Sequence, residues 1–74
     1  MDYKKLKLKI KEHYDVEPQV QFAKDLEMSY SALNQRLNNS AEWKTPEIVK
    51  ACKILNIPLE DAHLYFFTPK VENI

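Results

Sequence analysis

Apolar positions recur at helical spacings along most of the 74-residue chain. Tyr3, Leu6, Ile10 and Tyr14 follow one another at intervals of three and four, which makes one stripe of a first helix with lysines opposite. Asp15-Val16-Glu17-Pro18 ends that helix, because a residue before proline is pushed away from helical angles. Val20, Phe22, Ala23 and Leu26 supply the apolar side of a second helix, about Gln19 to Leu26. Ser29 suits an N-cap for a third helix from about Tyr30 to Asn38, with Leu33 and Leu37 facing inward. Asn38-Asn39-Ser40 stops it, with Asn standing where a C-cap favours Gly. Thr45-Pro46 reads as an N-cap followed by proline in the first turn. The fourth helix then runs to about Leu55 and buries Ile48, Ala51, Cys52 and Leu55. Asn56-Ile57-Pro58 breaks it, and a short fifth helix covers about Leu59 to Phe66, before Thr68-Pro69 and a tail from Lys70 to Ile74. The expectation is a single all-α domain over residues 1–74, a bundle of five short helices with a short extended C-terminal tail.

Composition narrows this further. Glycine is absent, which argues against hairpin-rich β folds and removes every Gly-rich phosphate loop. The 45% hydrophobic content and eight aromatic residues exclude disorder. Cys52 is the only cysteine, so neither a disulfide framework nor a cysteine-based zinc site can form, and it reads as a core thiol. His13 and His63 fall in different helices with no third ligand, so no metal site and no cofactor are expected. No apolar run approaches membrane-spanning length and no signal-peptide pattern is present, so a soluble cytoplasmic protein with no membrane partner is expected.

The formal net charge is zero, but it is segregated. Residues 1–14 carry five lysines against Asp2 and Glu12, whereas residues 15–28 hold Lys24 against Asp15, Glu17, Asp25 and Glu27. Phosphate contacts are local, so a neutral total does not exclude nucleic acid.

The informative constellation lies at residues 19–38. Only Glu27-Met28-Ser29 separates the second helix from the third, and that spacing forces the steep crossing of a helix-turn-helix. Ala23 offers a small side chain where the two would meet. Opposite Leu33 and Leu37, the third helix presents Ser31, Asn34, Gln35 and Asn38, all neutral and all able to hydrogen-bond. Solvated helical faces are normally filled with Lys and Glu, which are better helix formers. Asn and Gln can pair with the N6/N7 edge of adenine and Ser with either kind of base, so this face suits the major groove.

The run from Phe22 to Leu37, with its small Ala23, its apolar residues flanking the turn and its Ala32-Leu33-Asn34, resembles the helix-turn-helix of phage Cro and CI repressors. The first helix, the Trp43-Lys44 loop and the ending Tyr65-Phe66-Phe67-Thr68-Pro69-Lys70-Val71 extend the resemblance to small Cro-like phage and prophage proteins. It implies a five-helix lambda-repressor-like fold and a repressor that regulates transcription by binding a double-stranded DNA operator on the bacterial nucleoid. Carried over by position, it makes Tyr30, Ser31, Asn34 and Gln35 base-reading candidates. It makes Gln19, Asn38 and the loop through Lys44 phosphate contacts. The family prefers Gly at the turn position held here by Glu27, where φ is positive; a non-Gly residue there costs about 1 kcal/mol.

Outside the motif, the lysines of the first helix read chiefly as a solvated face whose stems cover apolar neighbours, some within reach of a DNA backbone. Arg36 either reaches a phosphate or pairs with Asp25 or Glu27, and the sequence leaves both open. Lys44, just before a helix start with free N–H groups, suits a phosphate clamp. Trp43 is expected to pack in the domain. In the ending, Leu64 and Phe67 would close the core and turn Tyr65 and Phe66 outward. Adjacent large apolar groups that cannot all be buried point to an interface. A homodimer seam is therefore expected at Tyr65, Phe66, Phe67 and Val71, as two-fold operators require.

No nucleophile is paired with a base and no carboxylate pair shares a cleft, so the chain is not read as an enzyme and no small-molecule substrate is expected. The leading expectation is a sequence-specific DNA-binding transcriptional regulator. The alternative is an antirepressor that keeps the helix-turn-helix shape and engages a partner repressor, which the acidic second helix and Glu27 favour.

Overall fold

The computed structural model describes residues 3–66. Its elements are α1 (Lys4–His13), α2 (Pro18–Leu26), α3 (Tyr30–Leu37), α4 (Thr45–Leu55), a 3-10 turn (Leu59–Asp61) and α5 (Ala62–Phe66). The fold is all-α, and no strand occurs among the described residues. α1 packs on α2, α4 and α5, while α2 packs on α3 and α4. The extended C-terminal tail expected from the sequence lies outside the described residues.

The stripes read from the sequence form the core. Leu6 and Ile10 of α1, Phe22 of α2, Leu33 and Leu37 of α3 and Leu55 of α4 are fully buried. Cys52 is buried with them, and burial pushes its thiol pKa up, as a core thiol requires. Tyr14 is half-buried against this cluster, and its hydroxyl donates to Asp25 Oδ2 at 2.6 Å, tying the end of α1 to α2.

Helix boundaries differ from the sequence expectation by a residue, each for a local reason. α2 starts at Pro18, whose fixed φ suits a first helical position. α3 ends at Leu37, and the left-handed residue beyond it is Asn39 (φ 66°). The cap of α4 is Lys44 rather than Thr45, because Glu47 reaches back and Lys44 N–H donates to its Oε1 at 3.0 Å. The fifth helix begins as a 3-10 turn before continuing as α5.

Five described residues have positive φ: Tyr3, Glu17, Glu27, Asn39 and Asn56. In a chain without glycine, every left-handed turn is made by a residue with a Cβ.

Helix α5 corrects one expectation. Phe66 is 3% exposed and Leu64 is 50% exposed, the reverse of the outward Phe66 and inward Leu64 read from the sequence. Phe66 is drawn in by Trp43 from the loop before α4, whose ring meets it edge-on.

Candidate nucleic-acid interface

The turn between α2 and α3 is built from backbone bonds. Glu27 sits at φ 62°, ψ 40°, which lets its N–H reach Lys24 O at 3.0 Å and the N–H of Met28 reach Ala23 O at 3.0 Å. Two carbonyls at the end of α2 are thereby satisfied. Ser29 then takes extended angles, and its Oγ accepts from Ala32 N–H at 3.0 Å, capping α3. Glu27 thus has the positive φ expected at this position. Its carboxylate pairs with Lys50 Nζ of α4 at 3.1 Å, so its charge beside α3 is partly neutralised.

With Leu33 and Leu37 turned inward, α3 exposes Tyr30, Ser31 and Gln35, and Asn38 is exposed just past its end. Asn34 is half-buried. Among the described residues, the side chains of Tyr30, Ser31, Asn34 and Gln35 make no hydrogen bond within the fold. Polar groups that serve no internal purpose here remain available to a partner.

The phosphate candidates separate into two kinds. Gln19 lies in the first turn of α2, half-buried, and Lys44 is exposed at the start of α4. Asn38 follows α3 and precedes a tight reversal in which the N–H groups of Ser40 and Ala41 both reach Gln35 O, at 2.8 and 3.2 Å. Arg36 differs from them in being engaged within the fold. Its guanidinium grips Glu47 with two parallel bonds, Nε to Oε1 at 2.8 Å and Nη2 to Oε2 at 2.9 Å. Its Nη1 donates to Ala32 O at 3.0 Å. Of the carboxylates, Glu47 takes it rather than Asp25 or Glu27, because Glu47 offers a planar, two-pronged match at short range.

Glu47 is the residue that sequence reasoning missed. Its local signal was present, since Glu three residues after a cap position marks a capping box. Nothing in the sequence linked it to Arg36. The hydrogen bonds from Arg36, helped by the Lys44 N–H and the guanidinium charge, hold the Glu47 carboxyl below its ordinary pKa against the opposing effect of burial.

An open cleft of about 490 Å³ lies where α1, α2 and the start of α3 meet. It brings Gln19 and Tyr30 together with Lys7 and Lys11, and Glu17 also lines it. Two of the lysines read as a solvated face therefore border the same hollow as two DNA-contact candidates. Trp43 packs in the domain as expected, half-buried against Phe66.

Residues 1–69 match a protein family described as a protein of unknown function, DUF739. The chain belongs to this family. No curated protein matches it. The DUF739 match covers α1 through α5, so the α2–α3 unit and the Trp43 loop both lie within the family's span. Among the described residues of this DUF739 chain, no helix is long and apolar enough to cross a membrane.

The expected dimer seam of the DUF739 chain is only partly within view. Tyr65 is half-buried and carries Lys5 Nζ 5.4 Å from its ring centroid. Phe66 belongs to the core and offers little surface to a partner. Phe67 and Val71 lie outside the described residues.

Proposed function

We propose that this chain is a sequence-specific DNA-binding regulator of the Cro type, a repressor in a phage or prophage switch. In this reading α3 enters the major groove of an operator half-site, and two copies bind a pseudo-palindrome as a two-fold dimer. Gln35, Ser31, Asn34 and Tyr30 read base edges, while Gln19, Asn38 and Lys44 contact phosphates.

The observation that carries the reading is the outward face of α3. Its hydroxyls and amides are unspent within the fold, on a helix capped by Ser29 and closed by the Asn38-Asn39 reversal. Ser and Asn are poorer helix formers than Lys or Glu, and amides and hydroxyls find their use in base recognition. The cleft shared by Lys7, Lys11, Gln19 and Tyr30 adds positive charge beside that face.

Selection of sites from a random DNA pool tests it. An enriched palindrome is expected, and Gln35→Ala should then relax base preference at one position per half-site at a cost of about 1–3 kcal/mol. Absence of enrichment at low salt would remove the reading.

The second reading, a protein-binding antirepressor, is favoured by the acidic stretch 15–28 and by the exposure of Val16 and Val20 on either side of Pro18. Salt separates the two. DNA binding weakens steeply with rising salt through counterion release, and an apolar protein interface does not.

A further inference from the structure

We infer that Glu47 is a positioning residue for α3, fixing the rotation of the reading face relative to the Lys44 clamp through a single carboxylate. The inference rests on the DNA-binding reading above. Glu47 Oε1 accepts from Arg36 Nε at 2.8 Å and from the Lys44 backbone N–H at 3.0 Å, while Oε2 accepts from Arg36 Nη2 at 2.9 Å. Arg36 in turn returns Nη1 to Ala32 O, one turn back on its own helix. The reading helix and the first turn of α4 are thus joined by two parallel hydrogen bonds, and one further bond on each side ties Arg36 and Glu47 to the backbone of their own elements.

α3 has need of such a joint. It is eight residues long, and its fully enclosed anchors are Leu33 and Leu37, one behind the other on a single stripe. A single stripe fixes depth well and rotation about the helix axis poorly, because apolar contact has no direction. Its main packing partner is α2. Arg36 lies off the leucine stripe, so holding its guanidinium adds the missing rotational constraint. A planar fork held by two parallel bonds sets both position and angle, which a lysine ammonium cannot do. Only 14% and 21% of the two side chains is exposed, so water competes weakly for the pair.

The geometry also spends the charge of the residue next to Gln35 inside the fold. Arg36 is turned toward α4 and leaves the outward face of α3 to neutral side chains.

A merely stabilising ion pair and a positioning one behave differently. A paired buried charge can often be replaced by apolar residues of similar size without loss of stability, but the replacement carries no angular preference. The test compares affinity for a selected operator duplex with affinity for a random duplex of the same length. The variants are Arg36→Lys and the double change Arg36→Met with Glu47→Leu, each checked for helical content by circular dichroism. Positioning predicts that the operator-to-random affinity ratio falls by about tenfold or more in the double variant, the size of a misplaced base contact. Arg36→Lys, which keeps the charge and folds without the fork, should lose part of the same ratio. A ratio within about twofold of the parent in a folded Arg36→Lys chain, or losses shared equally by operator and random DNA, would overturn the inference. A parent chain that prefers no sequence at all would instead remove the reading on which it rests.

Discussion

The indole of Trp43 meets the ring of Phe66 edge-on, with centroids 4.9 Å apart and planes at 79°. This contact ties the loop between α3 and α4 to α5, so that loop and helix share one closure of the core. Edge-to-face pairs add about 0.5–1.5 kcal/mol beyond the area they bury. Phe66→Ala should therefore destabilise the fold by about 3–5 kcal/mol. Leu64→Ala, at a half-exposed neighbour, should stay within about 0.5 kcal/mol of the parent. Urea unfolding followed by circular dichroism compares the two, and equal losses would place Phe66 outside the core.

The left-handed turn at Glu27 offers a second test. Relieving the Cβ strain at φ 62° gains about 1–2 kcal/mol, against about 0.5–1 for the entropy of a glycine and less than about 1 for the exposed Lys50 pair. Glu27→Gly should raise the urea midpoint slightly, by the equivalent of about 0.5 kcal/mol, with an unchanged slope. Asn56→Gly should change little, because Asn tolerates the same backbone region. A lowered midpoint for Glu27→Gly would mean that the Lys50 pair outweighs the strain.

Stability should fall at both ends of the pH scale, through two identifiable groups. Burial first, then the hydrogen bond it donates to Asp25, raise the Tyr14 hydroxyl well above its ordinary 10.0. The folded chain thus favours the neutral form. Its contribution is complete below pH 10 and is lost as pH rises beyond it. Tyr14→Phe should flatten that alkaline loss, leaving the smaller part due to Tyr3, which burial also raises. Glu47 behaves oppositely. Held below 4.5 chiefly by Arg36, it stabilises above that pH and ceases to as pH falls through its folded value. Unfolding free energies from urea titrations across the pH range would show both slopes. An alkaline slope unaltered in Tyr14→Phe would count against the first assignment.

Under the DNA-binding proposal, the lysines bordering the cleft have a signature in salt. Removing Lys7 and Lys11 together should weaken operator and random DNA alike. The slope of log affinity against log salt should become shallower by about 0.9 for each phosphate left without its cation. Lys44→Ala should account for about one such phosphate. Filter binding or fluorescence anisotropy at several salt concentrations measures this. A slope identical to the parent's in the double variant would return Lys7 and Lys11 to the solvated face.

What was legible in the sequence was local. The stripes Leu6-Ile10 and Leu33-Leu37, the break before Pro18 and the cap at Ser29 each depend on residues within a turn or two of one another. Backbone sterics and i, i+3/i+4 spacing act over just that range. The all-α fold and the short α2–α3 turn follow from them, whereas the positive φ at Glu27 was implied by the resemblance to the Cro and CI helix-turn-helix. Three things depended on segments distant in sequence meeting in space. Arg36 had several carboxylates of equal chemistry within plausible reach, and only the packing of α4 beside α3 chose Glu47, eleven residues on. Leu64 and Phe66 are both apolar and lie on different sides of a short helix, so Trp43, arriving from an earlier loop, decided which of them is buried. Lys7 and Lys11 were indistinguishable from the other lysines of α1 until α2 and α3 closed a cleft around them. Periodicity tells which residues share a face; which partner that face meets is settled only when the whole chain packs.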